Sequence, residues 1–319
     1  MNGGPRLLLI TYHYLRAPKA APYPGIYPLS IADFTAQVEW LAARFAMVTP
    51  EQSERFLTGG GGLSRDSVLL TFDDGLREQG EAARSVLDPR GIRALYFVTS
   101  RPLVEKRAPM VHKIHWLRST TEPRAFVDEF EALMPAQWSA AHADDATRKA
   151  SIGQYKYDTP ADALLKYRLN FLLPHDVADD AASAMFVARG MDEEVFCDGL
   201  YLSEAELRDI VARGHVVGSH SHSHAALSHL APGALDVDIQ RNLACLEAVT
   251  GTRPVWHSYP YGREWAIPPD PVAFCRRHGF RLAVTLIEGW NGPAEDTSRI
   301  KRVNTNDVAK ATAASATAA

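Results

Sequence analysis

Residues 68 to 75 read Val68-Leu69-Leu70-Thr71-Phe72-Asp73-Asp74-Gly75, an apolar strand that stops abruptly at two carboxylates and a glycine. Adjacent acids repel, so a pair at one strand end implies a cation or a proton-transfer task that separates their roles. The run sits in a chain whose elements alternate strand and helix. Leu7 to Ile10 opens as a strand, and Ser30 caps a helix whose Phe34, Val38, Leu41 and Phe45 recur at helical spacing. Val68 to Phe72 follows, and Arg93 to Thr99 is the next strand, after a helix ending near Gly91. Such alternation argues for a parallel sheet or barrel, and folds of that kind collect their catalytic residues where strands end.

A second cluster lies far downstream, where Val216-Val217-Gly218-Ser219 runs into His220-Ser221-His222-Ser223-His224. In a helical turn the two outer histidines, four apart, share one face, which suits two corners of a tetrahedral zinc site. Asp74 then supplies the third ligand. Two imidazoles and one carboxylate leave a position open for water, as in a catalytic divalent site, and Asp73 is left as a base. Taken singly, an Asp-Asp-Gly is often a turn and a histidine cluster often a surface loop. Their shared position after strand-like runs is what joins them. Zinc is the first expectation; cobalt, nickel and iron accept the same ligands.

Thr71-Phe72-Asp73-Asp74-Gly75 and His220-Ser221-His222-Ser223-His224 resemble, in order and context, the first two signature motifs of the polysaccharide deacetylases, carbohydrate esterase family four. The third motif, Arg-x-Pro-Tyr-Gly, has its counterpart in Ser258-Tyr259-Pro260-Tyr261-Gly262 but lacks the arginine, for which Arg263, another cation or His257 is expected to substitute. The final Leu-x-His motif is absent, since no histidine follows His278. Instead the first strand runs into Tyr12-His13-Tyr14, which resembles a relocated last motif. The branch that deacetylates poly-N-acetylglucosamine is similar in both respects and circularly permuted in this way. The resemblance covers residues 6 to 100 and about 200 to 308, ending at Ile300-Lys301-Arg302-Val303-Asn304-Thr305-Asn306-Asp307.

This resemblance implies an α/β fold, a distorted (β/α)7 barrel, and a metal-dependent hydrolase that removes an N-acetyl group from an amino sugar or a carrier-linked glycan precursor, releasing acetate. It assigns Asp73 as base and His13 as general acid, and gives the backbone N–H of Tyr261 a share in stabilising the oxyanion; His257, beside the third motif, reads either as an alternative acid or as a packing residue. Another amide or an O-acetyl ester is open to the same chemistry. A non-catalytic, metal-containing sugar-binding protein is the reading from a different class, motivated by the missing arginine. Asp73 favours catalysis, because a structural site has no use for it.

The barrel domain is expected over residues 1–308, interrupted at about 101–200 by a mostly helical insertion that carries no motif of its own. Helical patterns run from Ala125 to Leu133 and from Asp162 to Leu173. An insertion of that length is expected to wall the substrate cleft and set specificity. Within it, His112-Lys113-Ile114-His115-Trp116 reads either as a grip for an anionic sugar or phosphate or as an amphipathic segment. Beyond it, Ser203 and Glu206 form a capping box, and a helix from about Asp236 to Val249 ends at Gly251. The alanine-rich Ala309 to Ala319 is expected to be a frayed, disordered tail.

A net charge of -4 over 319 residues lacks the broad basic footprint that nucleic acid demands. No apolar stretch is long enough to span a bilayer, and the chain enters its first strand without a leader pattern. The cysteines, Cys197, Cys245 and Cys275, are odd in number and lack paired metal-ligand spacing, which fits a reducing compartment. A cytoplasmic protein is therefore expected, with a soluble or carrier-linked amino-sugar substrate.

Overall fold

The computed structural model describes residues 4–17, 28–140, 143–155 and 159–316, which divide into two compact units. The first comprises residues 1–17, 28–105 and 198–319. Its strands are β1 (Leu7–Tyr12), β2 (Ala46–Met47), β3 (Ser67–Phe72), β4 (Leu95–Val98), β5 (Val216–Ser219), β6 (Trp256–Ser258), β7 (Leu282–Val284) and β8 (Arg302–Asn304). All pairings are parallel, in the order β7-β6-β5-β4-β3-β1-β8, with β2 joining β3 at the side. Val284 bridges Ile300, two residues before β8, so the two ends of this seven-strand path nearly meet. The result is the distorted (β/α)7 barrel that the sequence implies.

Strand alternation divides the barrel's apolar residues between two cores. Leu8, Ile10, Tyr12, Val68, Leu70, Phe72 and Tyr96 pack with Phe34, Val38 and Leu41 of the helix Ile31–Arg44. Leu7, Leu9, Leu69, Leu95, Phe97, Trp256, Leu282 and Val284 form a separate cluster inside the barrel. Because both faces are covered, β1 and β3 are buried at every residue, which is why they read as unbroken apolar runs. Gly218 of β5 belongs to the inward set: a Cβ there would lie 2.6 Å from the Phe97 ring.

The local signals resolve as expected at the helix ends. Ser30 accepts from the Asp33 N–H, Ser203 and Glu206 cap each other, and Gly251 closes the helix Pro232–Thr250 in the left-handed region. Of the stretch expected to be a frayed tail, the described part belongs to the helix Val308–Ala316, while residues 317–319 lie outside the described residues. Alanine is the strongest helix former, Val308 and Thr312 are buried, and Trp290 Nε1 donates to the Ala311 carbonyl. Among the described residues no helix is long and apolar enough to cross a membrane.

The second unit comprises residues 18–27 and 106–197. The regular elements among its described residues are helices, including Met110–Thr120, Pro123–Ala132, Asp145–Gln154, Pro160–Tyr167 and His175–Ala188. It has a core of its own around Leu117, Phe126, Phe130, Ala182 and Phe186. The segment His112–Trp116 does not form an anion grip. Lys113 is fully buried and its ammonium meets Asp179 at 2.7 Å, Glu193 at 3.2 Å and Ser183 Oγ at 2.8 Å, so its charge serves the fold of this unit.

Candidate active site

Asp74, His220 and His224 converge just beyond the C-terminal ends of β3 and β5. One ligand atom from each lies within 4.8 Å of the others, and all three residues are buried. Asp74 Oδ1 sits 3.4 Å from His220 Nε2 and 3.3 Å from His224 Nε2. His220 Nδ1 is 2.7 Å from the Ser258 carbonyl and must donate to it, so in the neutral ring the Nε2 lone pair faces the carboxylate. Two imidazole nitrogens around one carboxylate oxygen make a geometry that a cation between them would satisfy. Burial lowers the basicity of His220, but the carboxylates of Asp73 and Asp74 outweigh it and raise its pKa above the usual value. The donor set therefore fits a divalent ion with two nitrogens and one oxygen.

The histidines do not ride on a helical turn. Residues 220–224 form a loop in which Ser221 (φ 62°) and His224 (φ 60°) are left-handed, and this backbone, not helical periodicity, turns both rings to one point. Asp74 (φ 78°) and Tyr261 (φ 63°) share the conformation, so four of the six non-glycine residues with positive φ among the described residues lie here. Such residues cost of order 1–3 kcal/mol each and persist where surrounding structure over-determines them. The helix Pro232–Thr250 supplies that constraint. Asp238 accepts from the N–H groups of His222 (2.8 Å) and Ser223 (3.0 Å), while Asn242 Nδ2 donates to the carbonyls of Ser221 (2.6 Å) and Val98 (3.0 Å). The His222 ring faces away, toward Ser100 Oγ (3.0 Å) and Glu105 Oε1 (3.2 Å). Asn242→Ala should therefore leave the protein folded but weaken metal binding about 10- to 100-fold, the range for lost outer support, read by zinc titration against a chelator.

Asp73 lies beside this cluster and outside it, and its partner is a residue the sequence reading did not single out. Arg302, fully buried at the start of β8, donates from Nη1 to Asp73 Oδ1 and from Nη2 to Oδ2, both at 2.8 Å. Its remaining donors reach the Thr285 carbonyl (2.8 Å), Ser258 Oγ (2.9 Å) and the hydroxyls of Thr11 and Thr71 (3.3 Å each). Ser258, which stands where the motif arginine is missing, also donates to Asp73 Oδ2 at 3.2 Å. Burial alone would raise the Asp73 pKa, but the guanidinium, aided by His220 and His13, brings it down to about 2.

The other expected site residues separate. His13 follows β1 and is half-buried; its carbonyl accepts from Gln79 Nε2 (3.1 Å), which also donates to the Asp73 carbonyl (2.6 Å). Tyr261 packs its ring edge-on to His224, with centroids 5.3 Å apart. Its turn requires Gly262 (φ 60°), where a Cβ would fall 2.7 Å from the Leu286 nitrogen. Arg263 is exposed and reaches only the Leu286 carbonyl, so it does not replace the arginine. His257 does not either. It points to the opposite side of β6 from Ser258, bonding Ser219 Oγ and stacking on Phe280, and burial holds its pKa well below the usual value.

The family model for polysaccharide deacetylase matches residues 177–283, a stretch that holds His220, His224 and Tyr261. No curated protein matches the sequence. Among solved structures the chain is similar to IcaB from Ammonifex degensii, at 21% identity and a TM-score of 0.58, over 98% of this chain and 97% of that one. It is also similar to the deacetylase PplD of Streptococcus pyogenes (13%, 0.57, 94% and 92%) and to a de-N-acetylase from Aggregatibacter actinomycetemcomitans (14%, 0.55, 93% and 94%). At these identities the structural likeness is one of fold, and it runs through nearly the whole chain. The resemblance to the polysaccharide deacetylases read from the motifs holds.

Proposed function

We propose, from the premise of a polysaccharide-deacetylase-like chain, that this protein is a metal-dependent hydrolase removing an N-acetyl group from an amino sugar or a carrier-linked glycan precursor. Asp74, His220 and His224 would hold the ion, zinc first among the candidates. When bound, a divalent ion supplies Lewis acidity toward the acetyl carbonyl and toward water. The observation that carries the reading is Asp73, an ionised carboxylate next to the three donors but with both oxygens clamped by Arg302.

In this reading Asp73 accepts a proton from the attacking water. A carboxylate held near pH 2 is a weak base at equilibrium, so Arg302 exchanges basicity for a fixed orientation and a permanent charge. The backbone N–H of Tyr261, turned by its left-handed conformation, donates to the developing oxyanion. His13 protonates the departing nitrogen as the C–N bond breaks, leaving a free amine and acetate. We infer a cytoplasmic location from the cysteine usage.

Protein stripped of metal and then reloaded with zinc or cobalt should release acetate from N-acetylated amino sugars. A panel of free, nucleotide-linked and lipid-carrier-linked substrates would identify the carrier. Silence across the panel with metal bound would turn the reading toward another amide, an ester or a binding role.

A further inference from the structure

The helix that follows the Asp-Asp-Gly turn, Arg77–Ala82, holds the segment after β1 with two adjacent side chains. Glu78 takes Arg16 in a bidentate pair, Nε to Oε1 at 2.7 Å and Nη2 to Oε2 at 2.6 Å. Gln79, fully buried, donates from Nε2 to the carbonyls of His13 (3.1 Å) and Asp73 (2.6 Å) and accepts from the Leu76 N–H at 3.1 Å. A helix cap needs only the oxygen of that amide; the nitrogen serves residues 13 and 73. The helix is itself closely seated, for a Cβ at Gly80 would lie 2.8 Å from Leu202 Cδ2, and the Leu202 N–H donates to the Gly75 carbonyl at 2.9 Å.

The two carbonyls differ in what else fixes their residues. Asp73 is secured without Gln79, because its N–H donates to the Tyr12 carbonyl at 3.0 Å and Arg302 and Ser258 hold its carboxylate. His13 lies one residue beyond the last paired position of β1, half-buried, and among the described residues Gln79 is its hydrogen-bond partner. We propose that Gln79 is a positioning residue for the reaction: with one nitrogen it fixes the backbone of His13 against that of Asp73, and it acts on turnover through His13. This inference rests on the deacetylase reading of the site, with His13 as its general acid. A glutamate at 79 would bring no donor near neutral pH, and an asparagine, one methylene shorter, would not reach both carbonyls. Loss of the tether displaces the imidazole and impairs protonation of the departing nitrogen, while the attack of water, organised by Asp73 and the three donors, is left in place.

The leaving group provides the test. An amine must be protonated to depart, whereas 4-nitrophenolate leaves unaided, so a residue that acts through the acid affects an amide and an aryl ester differently. On zinc-loaded protein, Gln79→Met should lower kcat for acetate release from N-acetylglucosamine about 10- to 100-fold, the range for a slightly displaced group, with KM, zinc content and hydrolysis of 4-nitrophenyl acetate held within about twofold. In a His13→Gln background Gln79→Met should cost nothing further, since residues that act as a unit do not give multiplicative losses. Gln79→Asn should show the same pattern in milder form and serves if Gln79→Met does not fold. Equal losses on amide and ester, or multiplicative losses in the double variant, would overturn the inference. If the wild type releases no acetate from the amide, the deacetylase reading fails separately, and the His13 ring signal in NMR, assigned by its disappearance in His13→Gln, decides instead. A shift of that signal in Gln79→Met, with the other histidine signals in place, supports the tether; any other result removes it.

Discussion

Asp73→Asn should lower kcat at least about 100-fold, and by up to ~10⁴-fold, the usual contribution of a positioned base, while the protein still binds one divalent ion. The amide keeps the shape of the carboxylate but removes its proton affinity, and the three donors Asp74, His220 and His224 are untouched. His220→Ala should lose both metal and turnover. The pair of variants separates a base from a ligand, which activity alone does not. Metal content after dialysis and acetate release, measured on the same preparations, provide the two readouts. Asp73→Asn also leaves the Arg302 guanidinium buried beside a neutral group, so a lower melting temperature is expected of it and does not count against the assignment. Full activity in Asp73→Asn would sink the mechanism.

Arg302→Met should destabilise the fold by about 3–5 kcal/mol, because removing one member of a buried pair strands the other charge. That corresponds to a melting point lower by roughly 10 °C for a domain of this size. Asp73→Asn combined with Arg302→Met removes both charges and should recover much of the loss in stability without recovering turnover. The deficit of Arg302→Met should also depend on pH. Arg302 depresses the Asp73 pKa to about 2 in the folded protein, below its ordinary value near 3.9, so the stabilisation is complete above pH ~4 and fades as pH falls toward 2. The difference between wild type and Arg302→Met should therefore be largest near neutrality and shrink in acid. Melting curves from pH 7 to pH 3 check this; a pH-independent difference would mean that Arg302 serves packing and not Asp73.

Much of the site was legible because its chemistry is written locally. Asp73 and Asp74 follow an unbroken apolar strand, and His220 and His224 follow another, so residue type and position together pointed to a metal at strand ends. The helix caps at Ser30, Ser203 and Gly251 were legible for the same reason, since a cap is an interaction within a few residues. The described part of the alanine-rich end is helical because alanine favours the helix and Val308, just before it, is buried.

What the sequence by itself determined is the inventory: which donors exist, that they end strands, and that strand and helix alternate into a parallel barrel. Only the tertiary structure decided which of them meet. Arg302 lies 229 positions from Asp73, and nothing local marks it as that residue's partner. Parallel pairing sets β8 beside β1, and the inward alternation of β8 aims the guanidinium along the barrel interior to β3. The same alternation sends Ser258 inward to Asp73 and its neighbour His257 outward among Phe274 and Phe280. One residue of parity separates a site contact from a packing residue. Strand parity and barrel closure are properties of the assembled sheet, fixed by burying both of its faces at once, and no single segment of the chain contains them.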